Sequence, residues 1–518
     1  IWVLRKPAWI ASLCGLAAAV VVAAGVYRMP PDRLAGAVTY GAAFGLFPIG
    51  WIVFWAILLY RITLESGQFE VVKDSVGSLT EDRRLQALLI AFAFGAFIEG
   101  AAGFGTPVAV AAAMLTGLGF SPFYAAGICL LANTAPVAFG SIGIPVVTLA
   151  GITGLPVEKL SAMVGRICAP VSLIVPAYLI GVMGGWKSLK GVLPAVAVCG
   201  VSFAGTQFVV SNFVSVQLTD ILSALAAIGS LVVLFKVWKP RDAGSAMAQG
   251  AGADISQAAP AQARRHTYPE LLKAWGPYLL LVAFVLVWGH KPFQQQLNSV
   301  TIPIAWPGLH NTIERMPPVV AQPSPYAAMF QFNWLSASGT ACLFAALLSA
   351  LWVGMKPRVF LRVLAHTARQ LALSMVTIAS VLALAFLMNY SGATATLGLA
   401  FAATGVLFPY FSAMLGWLGV FLTGSDTSAN ALFGNLQVVT AERLGMDPIL
   451  MASSNSSGGV MGKMISLQSI AVAAAATGMH RDDEARLFRF TLGHSVLLAS
   501  VIGLIVVFYA YVAPGLVP

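Results

Sequence analysis

Three charged residues stand deep inside long apolar stretches of this chain: Glu99, Asp426 and Lys463. A lone charge at the centre of a bilayer costs about 2.5–3.5 kcal/mol on insertion scales, so each needs water, a partner or a proton. Desolvation favours the protonated form of any carboxylate. Glu99 and Asp426 are thereby equipped to take up and release a proton in step with another ligand. Both are equally placed to cap helix amides. Lys463 has two open roles, neutralising an anionic ligand or pairing with Asp426. Hydroxyls and amides cluster around these charges: Thr106, Asn133 and Thr134 near the first; Ser425, Thr427, Ser428, Asn430, Asn455, Ser456 and Ser457 near the others. With the glycines Gly100, Gly103, Gly105 and Gly424 they outline a site for a small hydroxylated anion, its carboxylate held by backbone amides at helix N-termini.

The composition says where such a site must be built. Of 518 residues only 48 are charged, or 9%, against roughly 25% in soluble domains. Hydrophobic residues make up 58%, with 50 Gly and 28 Pro. So few charges cannot cover the surface of a large soluble core, which excludes soluble enzymes, disordered tails and disulfide-stapled domains. The chain is a polytopic membrane protein. Its net charge of +10 includes no basic run interleaved with aromatics, so nucleic acid is not a partner. The five cysteines lie in apolar stretches and read as small buried hydrophobes. His-Glu-x-x-His, Gly-x-Ser-x-Gly and Cys-x-x-Cys motifs are missing, and no metal, cofactor or enzymatic activity is expected. Ser457–Lys463 resembles a phosphate-binding loop, but Ser457 replaces its first glycine and no strand precedes it. His290, His310, His366 and His480 fall at segment ends; His494, opening the last span, is a minor proton-relay candidate. Ile1–Leu4 read as the tail of a preceding span.

Apolar stretches of about 20 residues, enough to cross a bilayer, fall near 8–27, 35–60, 167–184, 191–211, 220–238, 274–290, 335–355, 370–390 and 490–513. Two longer blocks, 85–153 and 411–479, resemble each other. Gly95–Gly100 matches Gly419–Gly424 at an offset of 324, Leu118–Pro122 matches Leu444–Pro448 at 326, and Asn133 matches Asn455 at 322. The near-constant offset points to duplication of 37–155 as 362–480. In each block about 33 apolar residues are interrupted by a polar, glycine-rich centre, Glu99–Pro107 or Thr423–Asn430. One straight helix of that length would overshoot the membrane, so a re-entrant hairpin is predicted, its irregular tip lining a cavity. Each hairpin leads to a span broken at Asn133–Pro136 or Asn455–Gly459. Paired interrupted segments point to a transporter site. Plain Gly/Ala helix packing would account for the glycines but not for the clustered Asn, Ser, Thr and Asp.

The expected fold is therefore an all-α polytopic membrane protein: an inverted repeat with two re-entrant helical hairpins and two broken transmembrane helices. Scaffold spans and an amphipathic segment occupy 1–84, the first hairpin and broken helix 85–153, and connecting spans 154–238. A flexible cytoplasmic linker follows at 239–273. Scaffold spans with a long periplasmic loop (291–330) and the start of repeat two fill 274–410, the second hairpin and broken helix 411–479, and a C-terminal span 480–518. Taking 391–408 as non-spanning, like 66–83, puts 21 of the 29 Lys and Arg on one side and seven on the other, with Lys463 between. The basic side is cytoplasmic.

GAFIEGAAGFGTPVA (95–109), NTAPVAFG (133–140), FLTGSDTSANALFGNLQ (421–437) and GGVMGKMISLQSI (458–470) resemble the L-lactate permease family across essentially the whole chain, Arg315–Val320 included. Leu467 departs from the family pattern, where a proline is expected. The resemblance implies import of lactate, and of glycolate, with protons across the bacterial inner membrane. A more distant likeness to the ion-transporter superfamily implies an elevator-type division into transport and scaffold domains. A sodium-coupled carrier of dicarboxylates is the alternative within transport. The sequence leaves open whether the scaffold is a monomer or a homodimer.

Overall fold

The structure, a computed structural model, describes residues 7–103, 105–240, 266–317, 322–479 and 481–518. In hydrocarbon a single segment satisfies its own backbone only as a helix, and helix dominates. Nine helices among the described residues are long and apolar enough to cross a membrane, and two bent pairs raise the number to 11.

α1 (Ala8–Gly25) leads to α2 (Pro31–Phe44) and α3 (Trp51–Glu65). The single span expected over 35–60 is kinked between them: Phe47 is extended (φ −141°, ψ 123°), and Pro48 brings no N–H to continue the ladder. α4 (Gln68–Gly77) is short and amphipathic, burying Phe69, Val72 and Val76. The first hairpin then rises through α5 (Arg83–Gln86), a π-helical stretch Ala87–Phe94 and α6 (Gly95–Ala101), and returns as α7 (Thr106–Gly117). Its tip needs left-handed backbone at Gly103 (φ +60°) and Gly105 (φ +82°), which glycine adopts without steric cost. α8 (Pro122–Ala132) and α9 (Gly140–Thr153) follow as a span bent by 66°, broken at Asn133–Pro136 as the sequence predicts.

α10 (Val157–Gly191), α11 (Leu193–Phe213) and α12 (Thr219–Val237) pack in series, and α12 lies against α6. Residues 241–265 of the expected linker lie outside the described residues. α13 (Tyr268–Gly289) begins within the linker's final part, where the Thr267 amide donates to the Glu270 carboxylate at 2.7 Å. The proline-rich loop is ordered by α14 (Lys291–Asn298) and nested antiparallel ribbons. β1 (Ile302–Ala305) pairs with β4 (Met329–Phe332), and β2 (Glu314–Arg315) with β3 (Ser324–Pro325). Trp306 and Phe330 meet Tyr40 of α2 edge-on, fastening the loop to the helices below.

α15 (Ser338–Trp352) precedes α16 (Pro357–Ser391), which at 35 residues is about 52 Å long. α2 crosses α16 with no side chain between the backbones. The Cβ that Gly41 lacks would lie 2.5 Å from the Leu382 carbonyl oxygen, and that of Gly45 2.9 Å from the Ala379 Cα. α17 (Ala393–Phe401) is followed by a second hairpin, α18 (Phe408–Thr423) and α19 (Asp426–Leu444), turning at Gly424 (φ +75°). α20 (Pro448–Gly462) and α21 (Leu467–Thr477) form the second broken span, bent by 41°, and α22 (Arg481–Tyr511) ends the bundle.

The second break is displaced from its expected position. α20 runs without interruption through Asn455–Gly459, and the chain leaves the helix only at Lys463–Ser466. Gly458 and Gly462 serve close contact rather than unwinding, since they abut the α18 backbone at Ala413 and Trp417. Asn455 directs its amide to α19 instead of its own turn. Ser466 caps α21 by accepting from the Ser469 amide. A hairpin followed by a broken span thus occurs twice, as α5–α9 and α18–α21.

Candidate functional site

The second hairpin turns at Gly424–Ser425 so that α19 starts at a cavity of about 130 Å³. Thr423–Ser428 form one wall. The Ser425 hydroxyl accepts from the Ser428 amide at 3.3 Å, while the helix N-terminus adds partial positive charge. Asp426 is 3% exposed. Its Oδ2 accepts from the Ser456 hydroxyl (2.6 Å) and the Asn430 amide (3.4 Å), and its Oδ1 has no partner. Lys463, at the start of the displaced break, points back across the cavity to donate to the Gly424 carbonyl at 2.6 Å. It makes no contact ion pair among the described residues, yet lies within electrostatic reach of both Asp426 and Glu99. Direct pairing with Asp426, one of its two open roles, is not what the geometry shows.

Glu99 enters from the opposite side. It sits in the last turn of α6, just before the tip, with Oε2 buried and the Asn133 amide facing the carboxyl. Gly140 lets it through: a Cβ there would lie 2.6 Å from Glu99 Oε1. Beyond Gly140 the chain takes three consecutive left-handed residues, Ser141 (φ 47°), Ile142 (φ 62°) and Gly143 (φ 72°), a strained arrangement for β-branched Ile142. This turn aims the Ser141 hydroxyl at the Ala102 carbonyl (3.0 Å), tying the first break to the first hairpin tip. Pro145 then offers its carbonyl to Asn430 at 3.1 Å, tying it to the second hairpin. α16 closes the cavity with Ser374, Thr377 and Ile378, and α21 adds Gln468.

The cavity gathers Glu99, Gly424, Ser425, Asp426, Thr427, Ser428 and Lys463 from the expected site. Asn430, Asn455 and Ser456 stand one layer behind. The Asn455 amide accepts from Gln437 (3.0 Å) and donates to Asn430 (2.9 Å), and Asn430 and Ser456 both donate to Asp426. Ser457 is buried beside Cys168, and Thr134 bonds back to Leu131 (2.8 Å). Gly100 packs against Asp220 and Ile221, and Gly103 against Ser141; Gly105 and Thr106 shape the tip away from the cavity. Asn133 is buried and faces Glu99. Ser141, Thr423, Gln468, Ser374 and Thr377 are missing from the expectation; single hydroxyls in apolar segments carry no sequence signal of depth. Two further charges are buried within the protein. Arg84 is 2% exposed but pairs with Asp82 at 2.7 Å, whereas Asp220 is fully buried with both carboxylate oxygens unpartnered. His494 lies within α22, not at its start, and its Nδ1 meets the Tyr178 hydroxyl at 2.5 Å away from the cavity. His480 lies outside the described residues.

Comparison with known proteins places these features in a family. The L-lactate permease family model matches residues 1–513. The glycolate permease GlcA of Escherichia coli (strain K12) is 46% identical over 526 residues, covering 99% of this chain and 94% of its own. The L-lactate permease of Bacillus subtilis (strain 168) is 46% identical over 536 residues, and that of Salmonella typhimurium (strain LT2) 45% over 522, with the same shares covered. Among solved structures, the Alcanivorax borkumensis YdaH transporter superposes with a TM-score of 0.55 over 99% of each chain, at 13% identity. That last likeness concerns the fold alone. The chain is a multi-pass membrane transporter and belongs to the L-lactate permease family.

Proposed function

We propose that this protein imports small 2-hydroxymonocarboxylates, lactate foremost and glycolate beside it, together with protons across the bacterial inner membrane. The carrying observation is one small cavity flanked by the buried Glu99, Asp426 and an ammonium, Lys463, that pairs with neither. The cavity suits a molecule of a few heavy atoms. Lys463 and the N-terminal turn of α19 supply the positive potential that a substrate carboxylate requires. Ser425, Thr427, Ser428 and Gln468 supply donors and acceptors for its hydroxyl. With the substrate present the site would hold three carboxylates against one ammonium, so a proton on Glu99 or Asp426 must accompany the anion. The names of the relatives, lactate and glycolate permeases, agree with such a ligand.

In this reading the hairpins and broken spans, 85–153 and 411–479, carry the cavity across the membrane against the scaffold. Lactate added to a weakly buffered suspension of cells or proteoliposomes should alkalinise the medium. The response should fall at least tenfold in Glu99→Gln or Asp426→Asn. Undiminished proton uptake in both variants overturns their coupling role, and uptake that follows a sodium gradient instead overturns proton coupling altogether.

A further inference from the structure

The central cavity has two unlike sides. The second repeat supplies the polar one, with Ser425, Thr427 and Ser428 at the start of α19 and Lys463 and Gln468 around the second break. The first broken span brings Val137, Gly140, Ser141, Ile144 and Pro145, and these offer a polar ligand little. Ser141 commits its hydroxyl proton to the Ala102 carbonyl at 3.0 Å. Pro145 has no N–H, and its carbonyl already accepts from Asn430 at 3.1 Å. α16 adds Ile378, next to Thr377, whose hydroxyl donates back to Leu373 at 2.9 Å. The side chains left on this side are the apolar ones of Val137, Ile144, Pro145 and Ile378.

The backbone is strained where this wall is made. Ile142 takes φ 62°, costly for a β-branched residue, and strain of this kind collects where a site is shaped. Ile142 and Gly143 do not line the cavity. Ile142 has no exposed surface, and a Cβ on Gly143 would lie 2.7 Å from the Val216 carbonyl oxygen. The left-handed run thus takes two residues out of the wall and returns the chain to it at Ile144 and Pro145.

We propose that Val137, Ile144, Pro145 and Ile378 form a subsite for the substituent on carbon 2 of the substrate and thereby decide which 2-hydroxy acids are carried. The proposal rests on the reading above of a small 2-hydroxymonocarboxylate and adds what selects among them. Glycolate has only hydrogen at that place and leaves the subsite unfilled, forgoing its contacts. The methyl of lactate exchanges water for an apolar wall while carboxylate and hydroxyl stay on the polar side. The ethyl of 2-hydroxybutyrate has to push aside Val137 and Ile144, which are 3% and 1% exposed and closely packed. One methylene more or less in a hydrophobic pocket is worth roughly 10–200-fold in selectivity.

The test is competition in proteoliposomes containing purified protein, with labelled lactate taken up against unlabelled glycolate, lactate or 2-hydroxybutyrate. The inhibition constants do not depend on how much of a variant has folded, and their ratios carry the answer. In the unmodified protein lactate should bind most tightly. Ile378→Ala and Ile144→Ala should each lower the preference for lactate over glycolate by about threefold or more. Both should also raise 2-hydroxybutyrate relative to lactate by about fivefold or more. Ile378→Phe fills the subsite and should weaken lactate relative to glycolate by about tenfold or more. Ser428→Ala, on the polar side, should weaken all three acids by one common factor. Should Ile144→Ala fail to fold, the two Ile378 variants decide, because Ile378 is half-buried and faces the cavity from α16. Unmoved ratios in both Ile378 variants overturn the subsite and leave the transport reading intact, as does tighter binding of glycolate than of lactate by the unmodified protein. Absence of lactate uptake by the unmodified protein overturns the transport reading itself.

Discussion

Gly140 shows how much of the site depends on an atom that is not there. Its missing Cβ leaves the space through which Glu99 reaches the cavity, and the backbone there is otherwise held by the Ser141 hydroxyl. Gly140→Ala forces Glu99 or the left-handed turn to shift, a strain of about 1–3 kcal/mol. Substrate affinity should weaken by roughly tenfold or more, read by thermal stabilisation with lactate, while the protein still folds. An unchanged affinity would mean that Glu99 is not held by this gap. At this scale the sequence showed the charges well, because an ionisable residue amid apolar neighbours is conspicuous. It did not show Asp220, which stands at the head of a span where its type alone suggests an interface. Nor did it show Ser141, whose importance lies in a backbone conformation that no pattern of residue types announces.

Among the elements, the second broken span separates two meanings of glycine. Runs such as Ser457–Gly458–Gly459 suggest unwinding when read along the chain, yet here they are the flat face on which α18 and α20 meet. Gly458→Ala would press a methyl into the Ala413 carbonyl, costing about 1–3 kcal/mol. It should lower the melting temperature in detergent by several degrees. Gly181→Ala in α10, where nothing lies within 4 Å of the added Cβ, should leave it level or slightly raised. Equal losses at both positions would refute the close-contact reading. Hairpins were legible because 33 apolar residues with a polar centre have few other folds available. The position of the break was not legible, because helix packing and helix breaking draw on the same small residues.

For the whole molecule, the distribution of Lys and Arg makes a claim that side-chain contacts do not. By the positive-inside rule the long loop at 291–330 is expected outside, and the α4 region at 68–83 inside. Asn311→Cys should react with a membrane-impermeant thiol reagent on intact cells, and Ser78→Cys only after permeabilisation. The reverse pattern would invert the assigned topology. Two larger cavities lie elsewhere in the bundle. One of about 670 Å³ lies beside Arg315, Tyr326 and the end of α19, and one of about 550 Å³ lies between α4 and α7. Each touches the far end of a hairpin's second arm, α7 or α19.

The wall that α16 presents to the central cavity consists of Ser374, Thr377 and Ile378, and the Thr377 hydroxyl is already engaged with the Leu373 carbonyl at 2.9 Å. No charge stands on it. All ionic hold on an anion therefore comes from the hairpins and breaks. If those elements move past α16 with their load, no salt bridge has to be broken against it, and this 35-residue helix acts as a low-friction rail.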